Sequence, residues 1–365
     1  EISECLVGSE MCIRDRKTGQ KKDCRKEEEL KMGVFMHRPF GRAAALTLAA
    51  AMLLGAPSAL AAQVPAAFLE QENSISAPGV ALTRSGKCGE AVNWGLGADN
   101  VLYIYGSGPM NDFSTNEGSR APWAEELLAA SPDGLSTIQA VQVCEGVTKL
   151  GAFAFNNAGS AYYTGLTSIT LPDSLQEVGR RALYGCKALS SIEVSAANPC
   201  LTVQDGILYN KAMTQLIRCP AAGGLTAYTV PASVTELAEG AFASCTSLES
   251  IVLPEGMTSI ADNAFEGCSA LREVTLPSTL KTLNYACFGW CSSLTNIVLP
   301  EGTEKLDWSV FASCTSLSSV TIPSSVKTID VYAFNKCPLK EVKISKDCVL
   351  GSQAFGKDVK IKYYH

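Results

Sequence analysis

One apolar pattern recurs along this chain from residue 138 onward: an apolar residue, two others, an apolar residue, one other, then a third apolar residue, often closed by proline. It occurs as Ile138/Val141/Val143, Leu166/Ile169/Leu171, Leu189/Ile192/Val194, Leu225/Tyr228/Val230 and Leu248/Ile251/Leu253. It continues as Leu271/Val274/Leu276, Leu294/Ile297/Leu299, Leu317/Val320/Ile322 and Leu339/Val342/Ile344. Alternate residues of a strand share a face, so the last two apolar positions of each motif point inward together. The proline that follows cannot donate to a ladder and turns the chain out of the strand. A return segment then brings further apolar groups, such as Met257, Ile260, Phe265 and Cys268. The step between motifs is mostly 23 residues, and two columns keep it strictly: Phe242, Phe265, Phe288, Phe311 and Phe334, and Cys245, Cys268, Cys291, Cys314 and Cys337. A repeat of this length cannot bury its apolar face alone and must stack on its neighbours. The pattern predicts a mainly β (α+β) solenoid of about nine rungs over residues 137–361. A small insertion at 156–165 and a larger island at 195–224, with strand-like pieces at 201–203 and 207–209, interrupt it.

Upstream, residues 86–136 do not repeat. Alternation at 92–96 and 101–105 around Gly97-Ala98-Asp99-Asn100 predicts a β-hairpin. Pro122-Trp123-Ala124-Glu125-Glu126-Leu127-Leu128 predicts a short helix with proline in its first turn. A solenoid needs its end rung covered, and this β-rich module is placed to be the N-terminal cap. Residues 62–85 are small and polar and read as a linker. Residues 32–61 read as a signal peptide: Met32 is followed by His37, Arg38 and Arg42, an apolar run over 43–54, and Ala59-Leu60-Ala61 as a small-x-small cleavage pattern. Met11-Cys12-Ile13-Arg14-Asp15-Arg16 resembles the translation of a transposon end, and 25–29 would need purine-rich codons, so 1–31 reads as non-native translated sequence.

The rungs resemble the bacterial BspA-type leucine-rich repeats, whose pattern runs L-x-x-I-x-L-P through A-F-x-x-C. Leu248-Glu249-Ser250-Ile251-Val252-Leu253-Pro254 and Ala264-Phe265-Glu266-Gly267-Cys268 match it closely. Gly86-Lys87-Cys88-Gly89, Trp94, Gly106-Ser107-Gly108-Pro109-Met110 and Ala121-Pro122-Trp123 resemble a module that precedes such repeats. Asn198-Pro199, Asp205-Gly206-Ile207-Leu208-Tyr209 and Cys219-Pro220 resemble a recurring insertion. The resemblance spans 86–361 and implies a right-handed leucine-rich-repeat solenoid in a secreted or cell-surface protein. Some relatives adhere to host proteins or other bacteria. It thus implies adhesion or recognition of a protein or glycan ligand on host or bacterial surfaces.

Composition narrows the chemistry. Net charge is −6 over 365 residues, which argues against nucleic acid and anionic membrane as partners. Past the signal, no segment is long and apolar enough to span a bilayer. Both histidines lie at the edges, His37 and His365, so a nucleophile–histidine device has no internal base. No metal or cofactor motif stands out. The expectation is a non-catalytic binding protein without cofactors. A cell-envelope assembly protein and a carboxylate-based glycan-acting enzyme are the alternatives. The cysteine column reads as buried thiols rather than a metal stripe or disulfide ladder, and Cys200 and Cys219, near opposite ends of the island, are candidates for a local disulfide. The outward strand positions are small, neutral and hydroxyl-rich. Aligning the rungs places Tyr285 above Trp308, with Trp290 and Tyr332 on the same return segments. Large aromatics outside the repeat's own apolar positions make these four the candidate ligand contacts.

Overall fold

The computed structural model describes residues 13–14, 21–22, 79–156 and 161–364. In the N-terminal unit, residues 1–71, Ile13–Arg14 pairs antiparallel with Lys21–Lys22. The remaining expectations for 1–31, the signal segment 32–61, the linker residues 62–78 and insertion residues 157–160 lie outside the described residues.

The second unit begins with an antiparallel meander of Leu82–Lys87, Val92–Gly97 and Val101–Gly106. Ordered structure therefore starts earlier than the polar composition of 62–85 suggests. The backbone from Leu82 onward finds a ladder partner, and Thr83 Oγ1 adds a 2.9 Å bond to the Leu96 carbonyl. The third strand pairs in parallel with Ala140–Val143, and the sheet runs on through Ser168–Leu171 and Ser191–Val194. The module and the repeats thus share one sheet. The helix Pro122–Ala130 buries Trp123, Ala124 and Leu127. The Trp123 ring stacks on Phe155 at 5.3 Å, and its Nε1 donates to the Tyr163 hydroxyl at 3.1 Å. This indole occupies the place a preceding rung's phenylalanine would take.

Past the island the front strands pair in parallel at a 23-residue step from Ala227–Thr229 through Ser250–Val252 to Glu273–Thr275, and again between Asn296–Val298 and Ser319–Thr321. The return strands form a second parallel ladder, from Ser259–Ile260 to Val349–Leu350. Between the ladders lies a column of phenylalanines. Phe242, Phe265, Phe288, Phe311, Phe334 and Phe355 stack face to face with centroids 5.1 to 5.5 Å apart.

The cysteine column is buried and free. Cys268, Cys291, Cys314 and Cys337 donate S–H to the carbonyls of Phe242, Phe265, Phe288 and Phe311 at 3.1 to 3.2 Å. The thiol fills a small apolar space and supplies a weak donor to a buried carbonyl, which alanine would leave less satisfied.

The island is a three-stranded antiparallel sheet of Leu201–Gln204, Ile207–Asn210 and Gln215–Arg218, turned at Asp205-Gly206 with φ of 51° and 77°. Its last strand pairs in parallel with Glu236–Leu237, the return strand of the next rung. The sheet is a septum between two cores. Leu201 and Leu208 belong to the N-terminal core and Ile207, Tyr209 and Leu216 to the C-terminal one, as two-residue alternation requires. Cys200 and Cys219 are divided in the same way, and both are free thiols rather than a disulfide. Cys200 packs against the first core, whereas Cys219 lies in the second, where the Cys245 thiol donates to the Cys219 carbonyl at 3.9 Å.

Asn198 anchors the island's entry. Fully buried, it donates Nδ2 to the carbonyls of Pro172 (2.6 Å) and Leu175 (2.9 Å), and its Oδ1 accepts from the amides of Cys200 and Leu201. Asn198→Asp sets an acceptor against two buried carbonyls and should cost about 2–3 kcal/mol. A fall in the urea midpoint checks this, and an unchanged midpoint would show that the four bonds do not hold the island.

Candidate functional site

The turn before each buried ring presents an outward row, one residue per rung: Glu239, Asp262, Tyr285, Trp308 and Val331; Arg180 stands at the matching place on the far side of the island's strand. Backbone bonds hold the row at one-rung spacing. The carbonyls of Asp262, Tyr285, Trp308 and Val331 accept from Gly240, Asn263, Ala286 and Ser309 at 2.8 to 3.0 Å. These four donors lie in the left-handed region, at φ of 47° to 68°. The excursion aims the row's side chains away from the core.

Tyr285 and Trp308 meet as the alignment predicts. Their rings are 6.0 Å apart and nearly perpendicular, and both stay about two-fifths exposed, at 39% and 41%. Trp308 is held from below by its amide bond to Asp307, which pairs with Lys305 at 2.7 Å. Tyr332 borders the pair on the following rung, half-buried, at φ 58°. Trp290 sits on the turn past Phe288, exposed and also at φ 58°. Neither makes a ring contact with the pair, so the four candidates are one pair, one flanking ring and one separate ring.

The other end of the row lies over the septum and is polar. Glu239 accepts from Arg180 Nε at 2.7 Å and from Arg181 Nε at 2.9 Å. Arg181 also reaches past Gly240 to Asn263, and Tyr184 reaches past Ala243 to Glu266, which accepts from Asn263 at 2.7 Å. Small residues on the intervening rung permit both spans: a Cβ on Gly240 would come within 2.4 Å of the Tyr184 ring. Arg218 lies buried behind, bonded to the carbonyls of Gly240 and Ala243, with its Nε unpartnered. None of these residues was singled out by the sequence reading. A signal for Arg218 was present, because it stands where the alternation set by Leu216 calls for an apolar group. Arg180 lies 59 residues before Glu239, which is no multiple of the 23-residue step, so aligning the rungs did not place it beside this row.

Burial pushes the Glu266 carboxyl up to about 7 against the opposing pull of Arg181. Its folded pKa thus exceeds that of an unfolded glutamate, and folding favours the protonated form. The resulting stabilisation is fully present below about pH 4 and is lost as pH rises through 7. It amounts to about 2–3 kcal/mol at most, given the residue's partial exposure. Glu266→Gln should flatten the stability profile between pH 4 and 7, which urea denaturation across that range measures. An unchanged slope would assign the titration elsewhere. Burial also raises Asp262 and Tyr285. Among the described residues no cluster of three or more His, Cys, Asp or Glu is arranged to hold a metal.

A family model described as the BspA type leucine rich repeat region matches residues 133–226 and 235–362 in six copies. A sequence comparison with curated proteins gives no match. Among solved structures, the pneumococcal vaccine antigen PcpA is similar at 18% identity and a TM-score of 0.52, over 77% of this chain and 95% of that one. A leucine-rich repeat protein from Eubacterium ventriosum shares 23% identity at a TM-score of 0.47, over 77% and 96%. A leucine rich cell surface protein from Faecalibacterium prausnitzii shares 21% at 0.44, over 76% and 94%. At these identities the likeness concerns the fold.

Proposed function

The chain belongs to the BspA type leucine-rich repeat family, and from that premise we propose that it is an exported, non-catalytic recognition protein that adheres to a protein or glycan on host or bacterial surfaces. The observation that carries the reading is the exposed Tyr285–Trp308 pair. Two large rings stand clear of the core on a row otherwise polar up to that point, held by a backbone ladder that leaves them little freedom to lose. Tyrosine and tryptophan supply large contact area at low entropic cost and dominate interface hot spots. The front sheet supports this with a shallow face on which Val252 and Val298 are exposed, at 40% and 64%. Among the described residues no helix is long and apolar enough to cross a membrane, and the reading requires no cofactor.

The test immobilises the full chain and presents host matrix proteins, mucins and bacterial surface fractions. Saturable retention of one component supports the proposal. Retention of none, or hydrolysis products from a glycan panel, would overturn it. Retention on isolated cell wall through self-association would favour an envelope assembly protein instead.

A further inference from the structure

A cavity of about 290 Å³ opens where the island interrupts the rungs, lined by Arg180, Arg181, Arg218, Tyr184, Glu236 and Glu239 among others. Its volume lies at the lower edge of small-molecule pockets, the size of a single compact ligand. Three guanidinium groups face two carboxylates around it, so the lining is net cationic in a chain that is net acidic. Most of the guanidinium capacity is unspent. Arg180 gives only its Nε to Glu239 and leaves its side chain 57% exposed. Arg181 spends its Nε on Glu239 and one NH2 hydrogen on Asn263.

Arg218 braces the wall from behind: it is 3% exposed, and backbone carbonyls hold its two terminal nitrogens. The guanidinium groups that the cavity can use are those of Arg180 and Arg181, whose side chains keep 57% and 18% exposure and retain terminal N–H groups without a protein acceptor. The guanidinium fork matches a carboxylate in two-point geometry. Glu236 on the same wall offers an acceptor for hydroxyl or amine groups.

We infer that this cavity is a binding pocket for a carboxylate-bearing small ligand or terminal group, held by the free guanidinium edges of Arg180 and Arg181. It is separate from the Tyr285–Trp308 pair and does not rest on the adhesion reading.

The experiment titrates the full chain by calorimetry with glucuronate, N-acetylglutamate and inorganic sulfate, at fixed ionic strength. Saturable binding of glucuronate or N-acetylglutamate, stronger than that of sulfate and at least tenfold weaker in Arg180→Gln, supports the pocket. Whichever of the two binds more tightly identifies the source of the carboxylate as sugar or amino acid. Arg180→Gln is the primary variant because that side chain is largely exposed and its loss leaves the fold standing. Arg181→Gln should weaken binding at least tenfold as well, with circular dichroism reporting that it folds. Tyr285→Ala should leave these titrations unchanged, which separates failure of this pocket from failure of the ring pair. No saturable binding, equal binding of sulfate, or indifference to Arg180→Gln would overturn the assignment.

Discussion

Phe288→Ala should lower stability by about 3–5 kcal/mol, the cost of removing a fully buried aromatic whose cavity cannot collapse. Phe288 is completely buried and stacks on Phe265 at 5.1 Å and on Phe311 at 5.5 Å. Its rung also receives the Cys314 S–H on the Phe288 carbonyl. Neither neighbouring ring can close the gap, because each is pinned by its own backbone ladder and by the next ring along. A solenoid's stability is close to a sum of rung terms and nearest-neighbour interfaces, so a weak rung in the middle can also uncouple its two sides. Urea denaturation should show a lower midpoint and a broader transition than the unaltered chain. Phe355→Ala is the internal control: that ring caps the stack with a single neighbour at 5.1 Å and is only partly buried, so its loss should cost less. Equal costs at the two positions would mean that the stack does not carry stability by nearest-neighbour contact.

The repeat was legible because every rung states the same demands. Phe265 and Cys268 read as core from their period alone, and the register of Ser250 with Glu273 follows from the same step. The island was legible only in outline. Its strand pieces could be read from alternation, and the Asp205-Gly206 turn from its residue types. That the sheet would serve two cores was signalled only by the unbroken apolar run Ile207-Leu208-Tyr209, which is too short to be told from any other buried segment. The proposed Cys200–Cys219 link failed on that ground, since sequence distance says nothing about which side of a septum each thiol takes. The outward row was half legible. Tyr285 and Trp308 share a register without interruption, so aligning the rungs found them. Arg180 and Arg181 are separated from Glu239 by the island, and their ion pairs became visible only when the fold closed the gap. The partners of Glu266 and Asn263, Tyr184 and Arg181, reach them across a rung made small by Gly240 and Ala243, a conjunction no single motif announces.

The double variant Tyr285→Ala/Trp308→Ala should lose about 3–5 kcal/mol of binding free energy for whichever component the immobilised chain retains, a drop of more than a hundredfold. Truncating one hot-spot aromatic costs roughly 2–4 kcal/mol, and two rings in contact are not additive, so the pair should lose less than twice that. The single variants measure the coupling. If the Trp308 ring orients Tyr285 through their edge contact, each single change removes more than half of the total effect. Stability should move little, because both rings are two-fifths exposed and neither belongs to the buried column. The ladder bonds of this row use backbone carbonyls that alanine retains. A structural pair would behave in the opposite way: the double variant would lower the urea midpoint as much as Phe288→Ala does, and retention would fall only in proportion to the unfolded fraction. Measuring the midpoint and the retention on the same preparations separates the two outcomes. Unaltered retention with an unaltered midpoint would remove the ring pair as the ligand contact and leave the exposed valines of the front sheet as the surface to vary next.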